Sequence, residues 1–245
     1  MQYVDYVTSD LHFYHTNIIK YAERKDYVTD NDESTLKMND DMVTYINDHV
    51  PDEKKVVLWN LGDVFYGKLF SKAPLNDLMS IVEAMRGKHR TLKLVMGNHD
   101  WQFKKFYKLD KFKHMHTYEI FKYLGFDQVY DYPILFKPDV ILSHEPVFLD
   151  NSLISKVFNI HGHTHQQSVD SKYFQWKVEN REMVAKAFID SGRELPKQLN
   201  EMKKDAEYLA VNPGQYVNVC WDAGIPRVFN LTNIIENLKA GWVIS

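Results

Sequence analysis

The sequence has little of several features that mark common classes of protein. Its 245 residues include one cysteine, Cys220, so no disulfide can form within the chain and a reducing compartment suits it. No stretch approaches the ~18–20 apolar residues that a membrane-spanning helix needs. The first residues lack the basic segment and apolar core of a signal peptide. We therefore expect a cytoplasmic protein without membrane contact.

Positive and negative charges are nearly balanced in the sequence. The formal net charge is −3 at pH 7, which excludes a global positive field that would attract nucleic acid, although a local basic groove stays compatible. An apolar fraction of 44% is sufficient for a folded core. The length predicts a single domain, residues 1–245, with an insertion. The chain contains no internal repeat and no low-complexity segment.

Five polar motifs, each directly after an apolar run, are the most informative feature of the chain. They are Ser-Asp-Leu-His at 9–12, Gly-Asp at 62–63, Gly-Asn-His-Asp at 97–100, Ser-His-Glu-Pro at 143–146 and His-Gly-His-Thr-His at 161–165. Asp, Asn and His are donors that divalent transition metals accept. Two metal ions about 3.5–4 Å apart form the recurring machinery for hydrolysing phosphate esters. The set therefore predicts a two-metal hydrolase site.

Each motif alone also has a structural interpretation. Gly-Asp after a strand is commonly a turn, and Gly-Asn-His-Asp can be a turn followed by a helix cap. The three histidines at 161–165 could form a surface loop that scavenges metal. The presence of the whole set in this order favours the hydrolase interpretation.

Hydrophobic periodicity predicts strands that alternate with helices, and hence a layered α/β domain whose site lies at the strand ends. The predicted strands are residues 3–8, 56–61, 92–96, 140–142 and 157–160, and the predicted helices are residues 17–23, 34–50, 75–85 and 113–124. Residues 217–220 and 227–230 are expected to form a hairpin around Asp222. Thr232 is expected to cap a last helix that runs to Lys239.

The ordered motifs resemble those of the calcineurin-like metallophosphoesterase superfamily. The resemblance runs from Asp10 to about His165 and resumes at residues 217–231. The string Ser-Asp-Leu-His-Phe-Tyr-His-Thr-Asn-Ile-Ile at 9–19 is similar to that of the small stand-alone bacterial and bacteriophage members. The resemblance implies an α/β fold in which a two-sheet β-sandwich core is flanked by α-helices, interrupted here by an insertion at about 168–210.

The resemblance also implies a dinuclear metal centre with a bridging hydroxide as the nucleophile. The implied ligands are Asp10, His12 and His165 for the first ion, Asn98, His144 and His163 for the second ion, and Asp63 as the bridge between both. Two carboxylates and a hydroxide leave two dications net positive, which suits an anionic phosphate ester. Mixed imidazole and carboxylate donors accommodate Mn, Fe, Zn or Ni, of which we favour Mn.

Further residues are expected to act on the substrate. The resemblance places His99 beside the scissile phosphate, where it would stabilise charge or protonate the leaving oxygen, and Asp100 would orient its ring. Lysines interleaved with aromatic residues after Asp100 can bind phosphates and stack bases, which makes Lys104 and Lys105 candidates for substrate binding. His15 is a further candidate. A solvated helix face and an ordinary loop histidine remain the alternatives.

Residues 168–210 are dense in charges of both signs and are predicted to form helices at 178–189 and 195–209. This insertion has three interpretations: a solvated decoration, a lid over the site, or a surface for homo-oligomerisation. For the whole chain we expect a metal-dependent phosphodiesterase that acts on a nucleotide or short nucleic acid. A phosphomonoesterase stays open as an alternative. A non-catalytic protein-binding scaffold is disfavoured by the intact ligand set.

Overall fold

The structure is a computed structural model that describes residues 3–147, 149, 157–169, 173, 215–224 and 226–240. The predicted insertion, with its two helices and its suggested role in homo-oligomerisation, lies almost wholly outside the described residues. Within the described ranges, no helix is both long and apolar enough to cross a membrane.

The first of two sheets contains five strands. They are β1 (Val4–Thr8), β2 (Val56–Asn60), β3 (Thr91–Val95), β4 (Gln128–Tyr130) and β9 (Phe229–Asn230). Their order across the sheet is β4-β3-β2-β1-β9, with β1 to β4 parallel and β9 antiparallel to β1. Parallel neighbours need crossover connections, and helices lie in the connections between β1 and β4.

The second sheet contains four strands. They are β5 (Ile134–Lys137), β6 (Val140–Ser143), β7 (Phe158–His161) and β8 (Tyr216–Asn218). The order follows the sequence, with β5 antiparallel to β6 and the other pairs parallel.

Helices flank the sheets. They are α1 (Ile18–Tyr21), α2 (Asp32–His49), α3 (Leu75–Arg86), α4 (Phe103–Phe106), α5 (Thr117–Leu124) and α6 (Leu231–Lys239), with 3₁₀ turns at Phe70–Lys72, Asp100–Gln102 and Asp110–Phe112. Helix α2 begins two residues before the predicted start, because the Asn31 side chain accepts a hydrogen bond from the Ser34 N–H at 2.8 Å.

The alternation of side chains along β2 divides the core into two clusters. Leu58 packs in the cluster formed with the helices that cover the first sheet. Val57 and Trp59 point to the opposite face, where they pack in one cluster with Leu142 and Ile160 of the second sheet. The two sheets therefore form a sandwich with helices outside it, which confirms the predicted fold class.

Two predictions near the end of the chain are wrong. The expected hairpin does not form, because β8 pairs with β7 in the second sheet while β9 pairs with β1 in the first. The last helix is capped by Asn230, whose side chain accepts from the N–H groups of Thr232 and Asn233 at 3.0 and 3.2 Å. An alternating pattern identifies strands but does not say which sheet they join.

The predicted helix at 113–124 begins later than expected, at Thr117. A 3₁₀ turn occupies Asp110–Phe112, and the His116 N–H donates to Glu119 Oε2 at 2.6 Å, which fixes the start of α5. The strands β4 and β5 were not predicted, because both are short and only partly buried.

An aromatic cluster supports the first sheet and gives a test of the fold. Phe70 is fully buried, and its ring lies 5.8 Å from Phe65 and 5.0 Å from Phe103 between centroids. We expect Phe70→Ala to lower the free energy of unfolding by about 3–5 kcal/mol through the cavity it leaves. Leu135→Ala, at an exposed position, should stay within about 0.5 kcal/mol. Urea unfolding of the two variants measures this, and equal losses would contradict the packing.

Candidate metal centre

The five motifs meet because the strands before them end at the same level. Thr8 of β1 lies opposite Asn60 of β2, and Ser143 of β6 lies opposite His161 of β7. Backbone hydrogen bonds then continue beyond the strands. The Asp10 N–H donates to Gly62 O at 3.0 Å, and the Gly162 N–H donates to His144 O at 2.9 Å.

Five of the predicted ligands have left-handed backbone conformations. Their φ angles are 58° at Asp10, 53° at His12, 56° at Asp63, 69° at His163 and 49° at His165. Asp and His tolerate this region better than most residues, but it is still sparsely populated. Such strain concentrates at functional sites, where the surrounding structure fixes it.

Asp10, His12 and His165 bring one ligand atom each into a first cluster. Nε2 of His12 lies 3.8 Å from Oδ1 of Asp10, and Nε2 of His165 lies 4.0 Å from the same oxygen. Oδ1 of Asp10 and both ring nitrogens of His12 are buried without a hydrogen-bond partner. Unsatisfied buried polar atoms are costly, so these atoms mark a place for a cation.

A second cluster contains Asp63, His144 and His163. Nε2 of His144 lies 3.2 Å from Nδ1 of His163 and 3.0 Å from Oδ1 of Asn98. The three predicted ligands of the second ion therefore face one another around the His144 ring.

Asp63 joins the two clusters. Its Oδ2 lies 3.7 Å from Nε2 of His12 in the first cluster and 3.4 Å from Nε2 of His144 in the second. Burial raises the pKa of Asp63 to about 8, and the neighbouring Asp10 and Asp100 carboxylates add to this effect. A pair of bound cations would supply the missing positive charge, so the residues fit a dinuclear centre of divalent ions.

The sequence matches the model of the family described as calcineurin-like phosphoesterase over residues 6–225. The chain belongs to this family. The match confirms the superfamily that the motifs predict. It makes the protein a metal-dependent hydrolase of phosphate esters, with divalent metal ions as cofactors and histidine and aspartate clusters that could hold them.

Similarity to individual proteins is weak. A protein of unknown function from Aquifex aeolicus, known from a crystal structure, is 19% identical to the chain. The alignment covers 96% of this chain and 99% of that chain, with a TM-score of 0.47. None of the curated protein sequences compared with the chain matches it.

One oxygen of Asp10 in this phosphoesterase is held by the protein itself. Oδ2 accepts from the His163 N–H at 2.8 Å and from the Cys220 thiol at 3.0 Å. Burial raises the pKa of Cys220 well above its usual value, and the Asp10 carboxylate adds to this effect, so the thiol keeps its proton and donates. This arrangement leaves Oδ1 of Asp10 without a hydrogen-bond partner and able to bind a cation.

Asp222 and Arg24 belong to the site although the sequence did not indicate them. Oδ2 of Asp222 lies 3.0 Å from Nδ1 of His165, which leaves Nε2 of that ring to face Asp10. Arg24 donates to both carboxylate oxygens of Asp222, at 2.8 and 3.0 Å, and to the carbonyl oxygens of Asp10 and Leu11. A carboxylate behind a ligating histidine fixes its tautomer and orientation.

The predicted role of Asp100 is wrong. Its carboxylate does not orient the His99 ring but accepts from the backbone N–H groups of Asp63, Val64 and Gly97 at 2.8–2.9 Å. It thus ties the loop after β2 to the loop after β3. The His99 ring instead packs 3.9 Å from the Tyr66 ring, and its Nε2 lies 3.8 Å from Oδ2 of Asp63.

Close backbone contact between these loops requires glycine. Gly62 has φ +101°, and a Cβ there would lie 2.6 Å from Gly97 N and 2.6 Å from Nδ1 of His144. A larger residue would separate the two loops that carry ligands.

The predicted substrate residues differ in their placement. His15 is buried beside the centre, with its ring 5.4 Å from that of His12. The Lys104 ammonium donates to the carbonyl oxygens of Lys113 and Met115 at 3.1 and 3.0 Å, so it stabilises the local loop. Lys105 is exposed and lies over the Phe106 ring at 5.5 Å.

The contact between Asp222 and His165 gives a testable prediction about metal affinity. We expect Asp222→Asn to weaken binding of the first ion by about 10–100-fold, because the His165 ring loses its charged partner. Binding of the second ion should change little. Stepwise calorimetric titration of metal-stripped protein with Mn²⁺ measures both affinities.

The matched control is Asp127→Asn, since Asp127 also contacts an arginine, Arg86, with both oxygens but lies at the surface. This variant should bind both ions like wild type. If Asp222→Asn, folded by circular dichroism, bound both ions with unchanged affinity, the orienting role would be refuted.

Proposed function

We propose that this phosphoesterase is a dinuclear phosphodiesterase that acts on a nucleotide or short nucleic acid, with Mn²⁺ as the favoured metal. One observation carries the proposal. Oδ2 of Asp63 lies within 3.7 Å of Nε2 in His12 and 3.4 Å of Nε2 in His144, so one carboxylate can serve two ions. We further propose that the ligand sets are those stated above, with Asn98 completing the second.

The bound ions and the protein side chains would have different roles in hydrolysis of the phosphate ester. Two bound dications would polarise a phosphoryl oxygen and would lower the pKa of a water molecule toward neutral. Asp10 and Asp63 contribute two negative charges, and the histidines are neutral when they ligate, so the centre stays net positive. The site therefore attracts a phosphate anion and orients it for attack.

His99 is suited to hold the reacting phosphate. Its side chain is 25% exposed, in contrast to His12 at 1%, so it lies at the mouth of the centre. Burial lowers the pKa of His99 to about 4 and the nearby His144 adds to this, so the ring is neutral at pH 7. A neutral ring donates an N–H hydrogen bond, which favours stabilisation of phosphate charge over protonation of the leaving oxygen.

The charge around the centre supports a diester over a monoester. A monoester carries a second negative charge, which arginine and lysine commonly neutralise by charge-assisted hydrogen bonds. Arg24 is buried and directs its donors to Asp222 and to backbone carbonyls. The Lys104 ammonium is held by two carbonyls. Neither cation is available, and a diester monoanion needs neither.

The direct experiment compares bis-p-nitrophenyl phosphate with p-nitrophenyl phosphate, using stripped protein to which Mn, Fe, Zn, Ni or Mg is added. We expect a higher kcat/KM for the diester, with Mn giving the highest activity. A preference for the monoester would make the protein a phosphomonoesterase. Hydrolysis of neither ester by protein that binds two ions would indicate a scaffold.

Replacement of His99 and of His163 should separate their roles. His99→Ala should retain both ions and lose about 10²–10³-fold in kcat, since it removes a hydrogen-bond donor that stabilises charge on the phosphate. His163→Ala should lose the second ion, because it removes a ligand. Plasma emission measurement of bound metal, together with kcat, distinguishes the variants. Equal metal loss in both would show that the roles are assigned wrongly.

A further inference from the structure

An open cavity adjoins the metal centre on the side of His99. Its volume is about 470 Å³, within the range of small-molecule sites and large enough for a nucleoside. Tyr66 lies between this cavity and the metal centre, with its ring 3.9 Å from the His99 ring and 4.8 Å from the His15 ring. A group bound here would be next to a phosphate held at His99.

The walls of the cavity are built into the fold. Phe13 and Phe65 form an isolated parallel bridge, and the Tyr66 N–H donates to Phe13 O at 3.2 Å. Gly67 has φ +101°, and a Cβ there would lie 3.1 Å from Tyr14 O. The loops after β1 and β2 are thus in close backbone contact, so the pocket is preformed.

Two aromatic side chains line the cavity and are only partly buried. The rings of Tyr66 and Phe106 lie 5.2 Å apart at 78°, so they meet edge to face and leave ring surface for a ligand. Stacking of a base on an aromatic side chain strengthens binding by about 5–150-fold, whichever base it is.

Polar groups in the lining of the cavity are available to contact a ligand. His15 is 8% exposed, and its Nδ1 has no hydrogen-bond partner. Lys68 and Lys72 are exposed and form no ion pair with any described residue, so they can receive a further phosphate. Asp30 and Asp32 add carboxylate acceptors for hydroxyl or amino groups.

We infer that this cavity binds the nucleoside adjacent to the scissile phosphate, with the base against Tyr66 and Phe106 and a further phosphate at Lys68 and Lys72. The inference rests on the proposed function, because it names the substrate of that same site. A nucleoside that carries a further phosphate uses the aromatic, carboxylate and lysine groups together. A phosphorylated peptide or lipid headgroup would leave the aromatic surface without a partner.

The test compares two diesters with one leaving group, thymidine 5′-p-nitrophenyl phosphate and methyl p-nitrophenyl phosphate. We expect wild type to prefer the nucleoside diester in kcat/KM. Phe106→Leu should reduce this preference by about 30-fold, the middle of the range for one stacking contact, because it should weaken hydrolysis of the nucleoside diester far more than that of the methyl diester. Phe136→Leu, at a half-buried position in the other core cluster, is the matched control.

The lysines are tested with a dinucleotide that carries a 5′-phosphate. Lys68→Gln with Lys72→Gln should raise KM for it, and the effect should shrink with ionic strength because exposed charges are screened. Lys54→Gln with Lys55→Gln, just before β2 at the opposite end of the strand, should behave as wild type.

The outcomes separate this inference from the proposed function. Hydrolysis of the methyl diester without a nucleoside preference, or a preference unchanged in Phe106→Leu, would overturn the pocket and leave the phosphodiesterase intact. Hydrolysis of neither diester would overturn the phosphodiesterase. Calorimetric binding of thymidine 5′-monophosphate then decides the pocket: weaker binding by Phe106→Leu supports it, and equal binding refutes it.

Discussion

The rest of the site depends on the contacts that the Asp63 carboxylate makes. Its Oδ1 accepts from the His99 N–H at 2.9 Å, and its Oδ2 faces histidines of both clusters. The residue is held in turn by Asp100, which accepts from the N–H groups of Asp63 and Gly97 at 2.8 Å. The Asp100 carboxylate thereby fixes the loops after two neighbouring strands, and Oδ2 of Asp63 is placed where it could serve two ions.

The arrangement around Asp63 costs the folded protein free energy, through backbone strain and the burial of carboxylates. Five of the proposed ligands adopt left-handed backbone, and Asp10, Asp63 and Asp100 are all buried within one site. Buried carboxylates without cations are unfavourable, which is why the pKa of Asp63 lies near 8. Ions that bind only the folded chain would offset this cost by mass action, so metal binding and stability are coupled.

The sequence was sufficient for the sandwich and for the motifs whose side chains meet at the candidate centre, because each motif follows an apolar strand whose end is fixed by hydrophobic pattern. It was insufficient wherever a partner is distant along the chain. Arg24 contacts Asp222 across 198 positions, and neither residue lies in a recognisable motif. Asp100 was misjudged because adjacency suggested His99 as its partner, whereas its carboxylate reaches backbone groups of the preceding loop.

The lining of the cavity beside the centre was the least predictable part. Lysines interleaved with aromatics after Asp100 suggested a phosphate path, but the fold turns Lys104 toward carbonyl groups and contributes Phe106 to the cavity. Tyr66 and Lys68 reach the same cavity from the loop after β2. Such a surface forms only when the fold brings separate loops together, so no local sequence pattern predicts it.

The most direct measurement of the central claim is a crystal structure of the protein loaded with Mn²⁺, with anomalous difference density collected at the manganese edge. Our account predicts two peaks about 3.5–4 Å apart, with Asp63 between them. One peak should contact Asp10, His12 and His165, and the other Asn98, His144 and His163. A single peak, or two peaks that do not share Asp63, would contradict a dinuclear centre built on this carboxylate.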